Sequence, residues 1–412
     1  MPTVPLTAHS RWLESESDRL FRFALNARRP QGGFGMLDDD GRINAEEPID
    51  LLITCRMTHV FSIASLLGRG GGGLLADHGL KSLRDDFRDP LNGGWFREVS
   101  AGSPVGGGDR KEAYAHAFVL LATASAAAAG REGARDLLDE AIGVVEAHFW
   151  SEEEGRSRES WDPAFTATED YRGANSNMHS VEAYLAVAGV TGDDVWLHRA
   201  LRISDWLINQ TARSNHWRIV EHFRGDGSED REYNATDKAH QYRPYGATIG
   251  HAFEWARLLL HLRAELGEQA PDWLLEAARA LYENGLAEGW GADGDGFVYT
   301  TDWSGRPVVR ARLHWVIAEA IGASAALAAA TGEAGFGARY EELWDHAAVF
   351  FLDLDRGSWH HELDESNRPS ASVWAGKPDI YHALQATLIP RLPLAPALAV
   401  ALRDGLLDQG WA

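Results

Sequence analysis

The sequence predicts an all-α (α/α)6 barrel, with six inner helices ringed by six outer ones and a short β-hairpin before each inner helix. Three observations carry this reading. Helical periodicity dominates the chain. Six aromatic, turn-rich connections recur roughly every 55–80 residues, and each interval holds two helices. Strand signals are short and sit only in those connections. Helix pairs that must each bury an apolar face close into a ring, so residues 1–412 read as a single barrel domain with no linker.

The elements follow in order. Ser10 followed by Glu14 opens a run with Trp12, Leu13, Leu20, Phe21 and Ala24, an amphipathic helix with a cap. A second helix runs from about Asp50 to Leu67, and about thirteen are expected in all. The connections are 32–43, 93–105, 149–160, 217–228, 296–308 and 358–370. Each has an aromatic, a few alternating residues and an acidic or Gly/Asn/Ser turn, the pattern of a hairpin. The order in every repeat is outer helix, hairpin, inner helix. All six inner-helix N-termini therefore point to one end of the barrel, and a cleft there is the expected binding site.

Composition narrows the function. Hydrophobic residues make up 45% and charged residues 24%, an ordinary globular balance. The net charge of −22 argues against nucleic acid and anionic membrane surfaces as partners. A single cysteine, Cys55, excludes an internal disulfide framework and a cysteine-cluster metal site. The start has no apolar h-region, and no uninterrupted apolar run approaches the ~18 residues of a membrane span. A cytoplasmic monomer or homodimer is the expectation. The sixteen Trp suit either sugar stacking or large cores. GRGGGG at 68–73 lacks the Lys-Ser/Thr ending of a phosphate-binding loop and reads as a turn.

The stretch from Tyr245 to Leu260 holds the most chemistry. His251 and Glu254 are three apart and share a helix face, while Phe253, Ala256 and Leu260 face a core. Gly246 and Gly250 allow a close backbone approach at the start of that helix. The other inner helices repeat the theme. They offer Arg56 and His59, Tyr114 and His116, then Asn175, Asn177, His179 and Glu182. Gln241, then His314, Trp315 and Glu319, then Lys377, Asp379 and His382 complete the set. The outer helices carry only solvent-facing charge and apolar stripes.

Three chemistries use such a mouth. A metal site would draw on His179/Glu182 and His251/Glu254, but no further acidic cluster is evident in the sequence, so no metal or cofactor is expected. Glycoside hydrolysis needs two opposed carboxylates, and here each is paired with a His. Proton transfer beside a carbonyl suits several imidazoles with an Arg to hold an enediolate oxygen.

The motifs CRMTHVFSIA (55–64), GGWF (93–96), KEAYAHAF (111–118), NSNMHSVEAYL (175–185), GATIGHAFEWARLLL (246–260), DWSGRP (302–307) and GKPDIYHALQA (377–387) span nearly the whole chain. With them the chain resembles the N-acylglucosamine 2-epimerase superfamily, and in its first motif the bacterial mannose and sulfoquinovose isomerase branch. That resemblance implies an (α/α)6 barrel and a cofactor-free aldose–ketose isomerase acting on a monosaccharide. The expected reaction is D-mannose to D-fructose, or D-lyxose to D-xylulose, through a cis-enediol and unaffected by EDTA. A 2-epimerase of the cellobiose or N-acylglucosamine type and a sulfoquinovose isomerase are the alternatives within it, and an (α/α)6 glycoside hydrolase outside it.

The resemblance also implies roles. His382 is the main acid/base. His251 assists ring opening or serves as a second acid/base, with Glu254 orienting it. Arg56 steadies the carbonyl or enediolate oxygen. His179, Asn175, Tyr114 and Gln241 hold sugar hydroxyls. Trp315 stacks on the sugar or fills the core, and Glu319 contacts sugar or orients its neighbours. His59 and His116 are read as packing residues. A sulfonated sugar would need extra cations, for which Arg172, Arg243 and Lys377 are the candidates.

Overall fold

The computed structural model describes residues 7–291 and 296–411. Among these, thirteen α-helices occur in chain order: α1 (Ala8–Ala24), α2 (Leu51–Leu66), α3 (Gly72–Ser82), α4 (Ala113–Ala128), α5 (Ala134–Val144), α6 (Ala174–Thr191), α7 (Val195–Ser204), α8 (Ile249–Leu266), α9 (Trp273–Gly289), α10 (His314–Thr331), α11 (Ala334–Phe350), α12 (Tyr381–Leu388) and α13 (Leu398–Arg403). The even-numbered helices α2 to α12 pack on one another in sequence, and α12 returns to α2, closing the inner ring. Outside it, α3, α5, α7, α9 and α11 each pack on the inner helix before them, and α1 packs on α12. This is the (α/α)6 barrel that the repeats predict.

Burial explains which helix goes where. In α5 the buried residues are Ala134, Leu137, Leu138 and Ala141, a single stripe at i, i+3, i+4 and i+7. In α10 every residue from His314 to Ala328 is buried. A helix apolar on all sides has to be enclosed, and the ring supplies neighbours on every face. At 18 residues α10 is long and apolar enough to cross a membrane, yet 83% of it is buried inside the barrel, as a core helix would be. The cap of α1 lies earlier than Ser10. The Thr7 side chain accepts from the Ser10 N–H, so Ser10 sits in the first turn.

The connections differ from simple hairpins. A two-residue strand enters each of α2, α4, α6, α8 and α10, and it pairs antiparallel with the connection of the following repeat. Ile49–Asp50 pairs with Val99 and Glu98, Lys111–Glu112 with Trp161 and Ser160, and Arg172–Gly173 with Phe223 and His222. Ala247–Thr248 and Arg312–Leu313 repeat this with Thr301/Thr300 and Leu363/Glu362. At the seam the Lys377 N–H donates to the Leu37 carbonyl at 2.9 Å, so the circle of pairings closes as the helices do. Strands this short do not hold alone. They persist because the connection strand of each pair is held between its own return and the entering strand of the neighbouring repeat.

Candidate active site

The first turns of the inner helices surround one cavity of about 570 Å3. Two histidines from different helices face it in the same manner. His382, on α12, donates through Nδ1 to Glu319 Oε1 at 2.8 Å. Glu319, on α10, also accepts from Arg257 Nε at 3.0 Å through its other oxygen. His251, on α8, donates through Nδ1 to Glu221 Oε1 at 2.9 Å. With Nδ1–H held by a carboxylate, Nε2 carries the lone pair. The indole of Trp315 lies between the two rings, 5.4 Å from His251 and 5.9 Å from His382. Both imidazoles therefore border the same small space.

Glycines make room for that indole. A Cβ on Gly250 would lie 2.1 Å from Trp315 Cζ3, and one on Gly246 would lie 2.1 Å from the Thr301 carbonyl oxygen. Gly246 also has φ +91°, in the left-handed region that favours glycine. The close approach read from the sequence is thus made to Trp315 and to the Thr300–Thr301 strand.

The opposite wall is cationic and aromatic. Arg56 donates to Asp379 Oδ2 at 3.1 Å and to the Tyr114 hydroxyl at 3.2 Å. Its guanidinium also lies over the rings of Phe118 and Tyr381. Asn175, Gln241 and His179 line the cavity between these groups. The Asn175 Oδ1 is buried without a hydrogen-bond partner, an acceptor open to a ligand hydroxyl.

Nine of the ten expected site residues border the cavity. Glu319 does not. It is 2% exposed behind His382, outside the cavity lining, with one oxygen on that imidazole and the other on Arg257. Glu254 is on the wall but does not orient His251; Glu221 does. A side chain three residues along the same helix lies beside His251, whereas Glu221 reaches it from the facing connection. Glu254 Oε1 makes no hydrogen bond and lies 3.8 Å from both His179 Nδ1 and Arg257 Nη2. His59 lies deeper, bonded to the Ser125 hydroxyl at 2.7 Å. His116 accepts from the Trp95 N–H at 3.1 Å, and its Nδ1 contacts the Glu112 carbonyl, outside the cavity. The three candidate cations are all engaged. Lys377 bonds Asp353 at 2.7 Å, Arg172 bonds Glu154 at 2.9 Å, and Arg243 bonds Glu169 at 2.8 Å.

Sequence reasoning missed Glu221, Tyr242, Tyr299, His361, Trp374 and Pro378, all in connections. Five of the six border the cavity (Tyr242, Tyr299, His361, Trp374 and Pro378, the last just before α12), and Glu221 stands behind His251. A register position explains three of them. The carbonyls of Arg97, Glu159, Glu221, Tyr299 and His361 each accept from the first residues of an inner helix: Leu51, Ala113, Ala174, Ile249 and His314. These five residues are structural equivalents, one per repeat, and every one carries a polar group to the mouth.

Burial sets the charges. Burial, helped by Arg56 and His382, drives the His179 imidazole down to about 4 against the pull of Glu182, so it is neutral near pH 7. Burial lowers His314 to about 3, helped by His382. Burial also pushes the Glu254 carboxyl well above its usual range, and the neighbouring Glu319 adds to this, so Glu254 holds its proton. Burial acts on Glu319 in the same direction, but Arg257 and His382 overcome it and keep it ionised. Glu182 is likewise held low, against burial, by His179 and Arg257. The Tyr381 hydroxyl and Gln385 donate to its two oxygens.

The acidic cluster absent from the sequence pattern does exist in space. His179, Glu182 and Glu254 converge within 4.8 Å, as do Glu254, Glu319 and His382. Arg257 already provides the positive charge there, 3.0 Å from Glu319 and 3.8 Å from Glu254. The donor set thus fits an internal cation better than a metal ion.

The model of the N-acylglucosamine 2-epimerase (GlcNAc 2-epimerase) family matches residues 32–386. The chain belongs to the N-acylglucosamine 2-epimerase family. Within this family, the chain is 52% identical over 397 residues to a D-mannose isomerase of Thermobifida fusca, covering 96% of this chain and 97% of that protein. It is 48% identical over 399 residues to a D-mannose isomerase of Pseudomonas cannabina pv. alisalensis, covering 96% and 95%. A crystal structure of D-mannose isomerase superposes with a TM-score of 0.86 at 26% identity, over 93% of this chain and 98% of that one.

Proposed function

We propose that this protein interconverts D-mannose and D-fructose by moving a proton between C2 and C1 of the opened sugar. One observation carries the reading: two imidazoles, each backed by a buried carboxylate, face one cavity across a single indole. The similarity to proteins named D-mannose isomerase supports the choice of sugar.

His382 Nε2 takes the C2 proton. The C2–H electron pair forms the C1=C2 double bond, and the C1 carbonyl pair moves onto O1 to give the cis-enediolate. His251 Nε2 takes the O2 proton and passes it to O1; the O2–H pair forms the C2 carbonyl, and the C1=C2 pair takes back at C1 the proton held by His382. Glu319 fixes the His382 tautomer and stabilises the imidazolium that forms. Arg56 stabilises negative charge developing on the enediolate oxygens. His251, backed by Glu221, exchanges the proton on the ring oxygen during opening and on O1 during enolisation. Protonated Glu254 is a hydrogen-bond donor to a sugar oxygen. Tyr114, Asn175, Gln241 and neutral His179 hold hydroxyls, and Trp315 offers its face to the sugar carbons. The whole inner ring contributes to this one site, which supports reading residues 1–412 as one catalytic domain.

The engagement of Lys377, Arg172 and Arg243 favours a neutral sugar over a sulfonated one. Incubation with a panel of aldoses and ketoses, with products identified by NMR, tests the proposal. Fructose from mannose is expected. Glucose from mannose would make the protein a 2-epimerase, and new reducing ends from an oligosaccharide would make it a glycoside hydrolase. In the same assay His382→Ala abolishes turnover with the fold intact.

A further inference from the structure

The barrel contains a second cavity, at the end opposite the catalytic one. Its volume is about 630 Å3. The C-terminal halves of the inner helices form its apolar wall, with Leu121 from α4, Leu185 and Val190 from α6, and Leu258 from α8. Residues 394–400 roof it, where α13 packs across α2, α4 and α6. Glu182, Arg257 and Gln385 form the floor. These three also stand behind the catalytic cavity, since Glu182 holds His179 and Arg257 holds Glu319. The two cavities therefore share a polar partition without sharing a space.

His261 gives the distal cavity its chemistry. Its Nδ1 donates to the Leu394 carbonyl at 2.6 Å, so Nε2 carries the lone pair. That Nε2 is buried and makes no hydrogen bond. A buried acceptor in an apolar chamber calls for a donor. Glu265 does not supply one, because it is one turn along α8 and accepts from the Ala397 N–H at 2.9 Å. Water alone fits poorly, since most of the wall offers it no partner.

We propose that the distal cavity is a binding site for a compact apolar molecule bearing one hydroxyl group, with the O–H donating to His261 Nε2. The apolar body takes the leucine and valine wall. The occupant touches Arg257, which is joined through Glu319 to His382, and it binds at the same time as a sugar in the catalytic cavity.

Cyclohexanol and cyclohexanone test this, because they share a body and only the alcohol donates. Binding is read by thermal shift and by ligand-observed NMR, independently of any activity. Cyclohexanol is expected to raise Tm by about 2 °C at ten times its Kd. It is expected to bind at least about fivefold tighter than the ketone, the order of one hydrogen bond. Saturating D-mannose leaves it in place. His261→Phe removes the preference for the alcohol. Ala186→Leu, which fills the cavity from α6, abolishes binding of both probes, and Val190→Met does so in its place should the first variant not fold. The proposal is overturned by absence of binding for both probes, by equal binding of the two, by displacement with mannose, or by a preference that survives His261→Phe.

Discussion

Replacing Glu319 by Gln removes one charge and changes almost no volume, so its effect isolates what the carboxylate does. The two oxygens of Glu319 have different partners, Arg257 Nε at 3.0 Å and His382 Nδ1 at 2.8 Å. An arginine only donates, so the Gln carbonyl oxygen must face Arg257. The amide NH2 then faces His382, Nδ1 becomes an acceptor, and the proton moves to Nε2. The base has lost its lone pair on the side of the sugar. The loss of a correctly oriented carboxylate behind a catalytic His costs ~10^4 in kcat in the best-studied triad, so about 10^3–10^4 is expected, or about 4–5.5 kcal/mol at 1.36 kcal/mol per decade. Glu221→Gln is the control. Only Oε1 of Glu221 is engaged by His251. The amide can therefore turn its oxygen to Nδ1, and the expected loss is about 10–100-fold, typical of an orienting partner. The assay is mannose-to-fructose conversion followed by NMR, with kcat and KM separated and Tm measured in parallel. A Glu319→Gln enzyme that keeps kcat within threefold of wild type refutes the tautomer argument. Equal losses in the two variants would also refute it.

Two further outcomes follow from the same geometry. Gly250→Ala places a methyl group where Trp315 lies 2.1 Å away; the indole must move, with a cost of ~1–3 kcal/mol in stability and a raised KM for mannose, measured by denaturant unfolding and steady-state kinetics. The second outcome concerns pH. Burial holds His59, His179 and His261 at about 4 and His116 and His314 at about 3. A lowered histidine stabilises the fold above its unfolded value of about 6.5 and loses that contribution as pH falls through its folded value. Raised Glu159, Glu254 and Glu265 work in the opposite direction, and the histidines outnumber them. Tm should be flat from pH 8 to 7 and should fall progressively from about 6.5 towards 4; a Tm unchanged at pH 5 contradicts the neutral-histidine core.

The sequence made the ring legible because periodicity survives in one dimension. A stripe like that of α5 and an unbroken apolar run like that of α10 tell outer from inner helix without coordinates. Residues in the first turn of an inner helix were legible for the same reason, since all six N-termini share one end. His382, His251, Arg56 and Tyr114 follow from this rule. Pairings between repeats were not legible. Glu221 reaches His251 because the Arg172–Gly173 strand pairs with His222–Phe223, and two-residue strands leave too little pattern to show it. The i, i+3 spacing pairs Glu254 with His251 on one face, but a shared face sets proximity and not hydrogen-bond direction. An alignment of the six connections on their aromatic residues would have placed Arg97, Glu159, Glu221, Tyr299 and His361 in one column, and a column of polar groups at the mouth is a signal.

The most direct test of the central claim is the fate of the C2 proton. D-Mannose is incubated with the enzyme in D2O, and the fructose formed is examined by 1H and 13C NMR. An imidazole whose Nε2 borders a cavity open to solvent exchanges its proton, so fructose carrying deuterium at C1 is the result this account predicts. Fructose free of deuterium at every stage of conversion would contradict it, because the hydrogen would then have travelled without passing through an exchanging base.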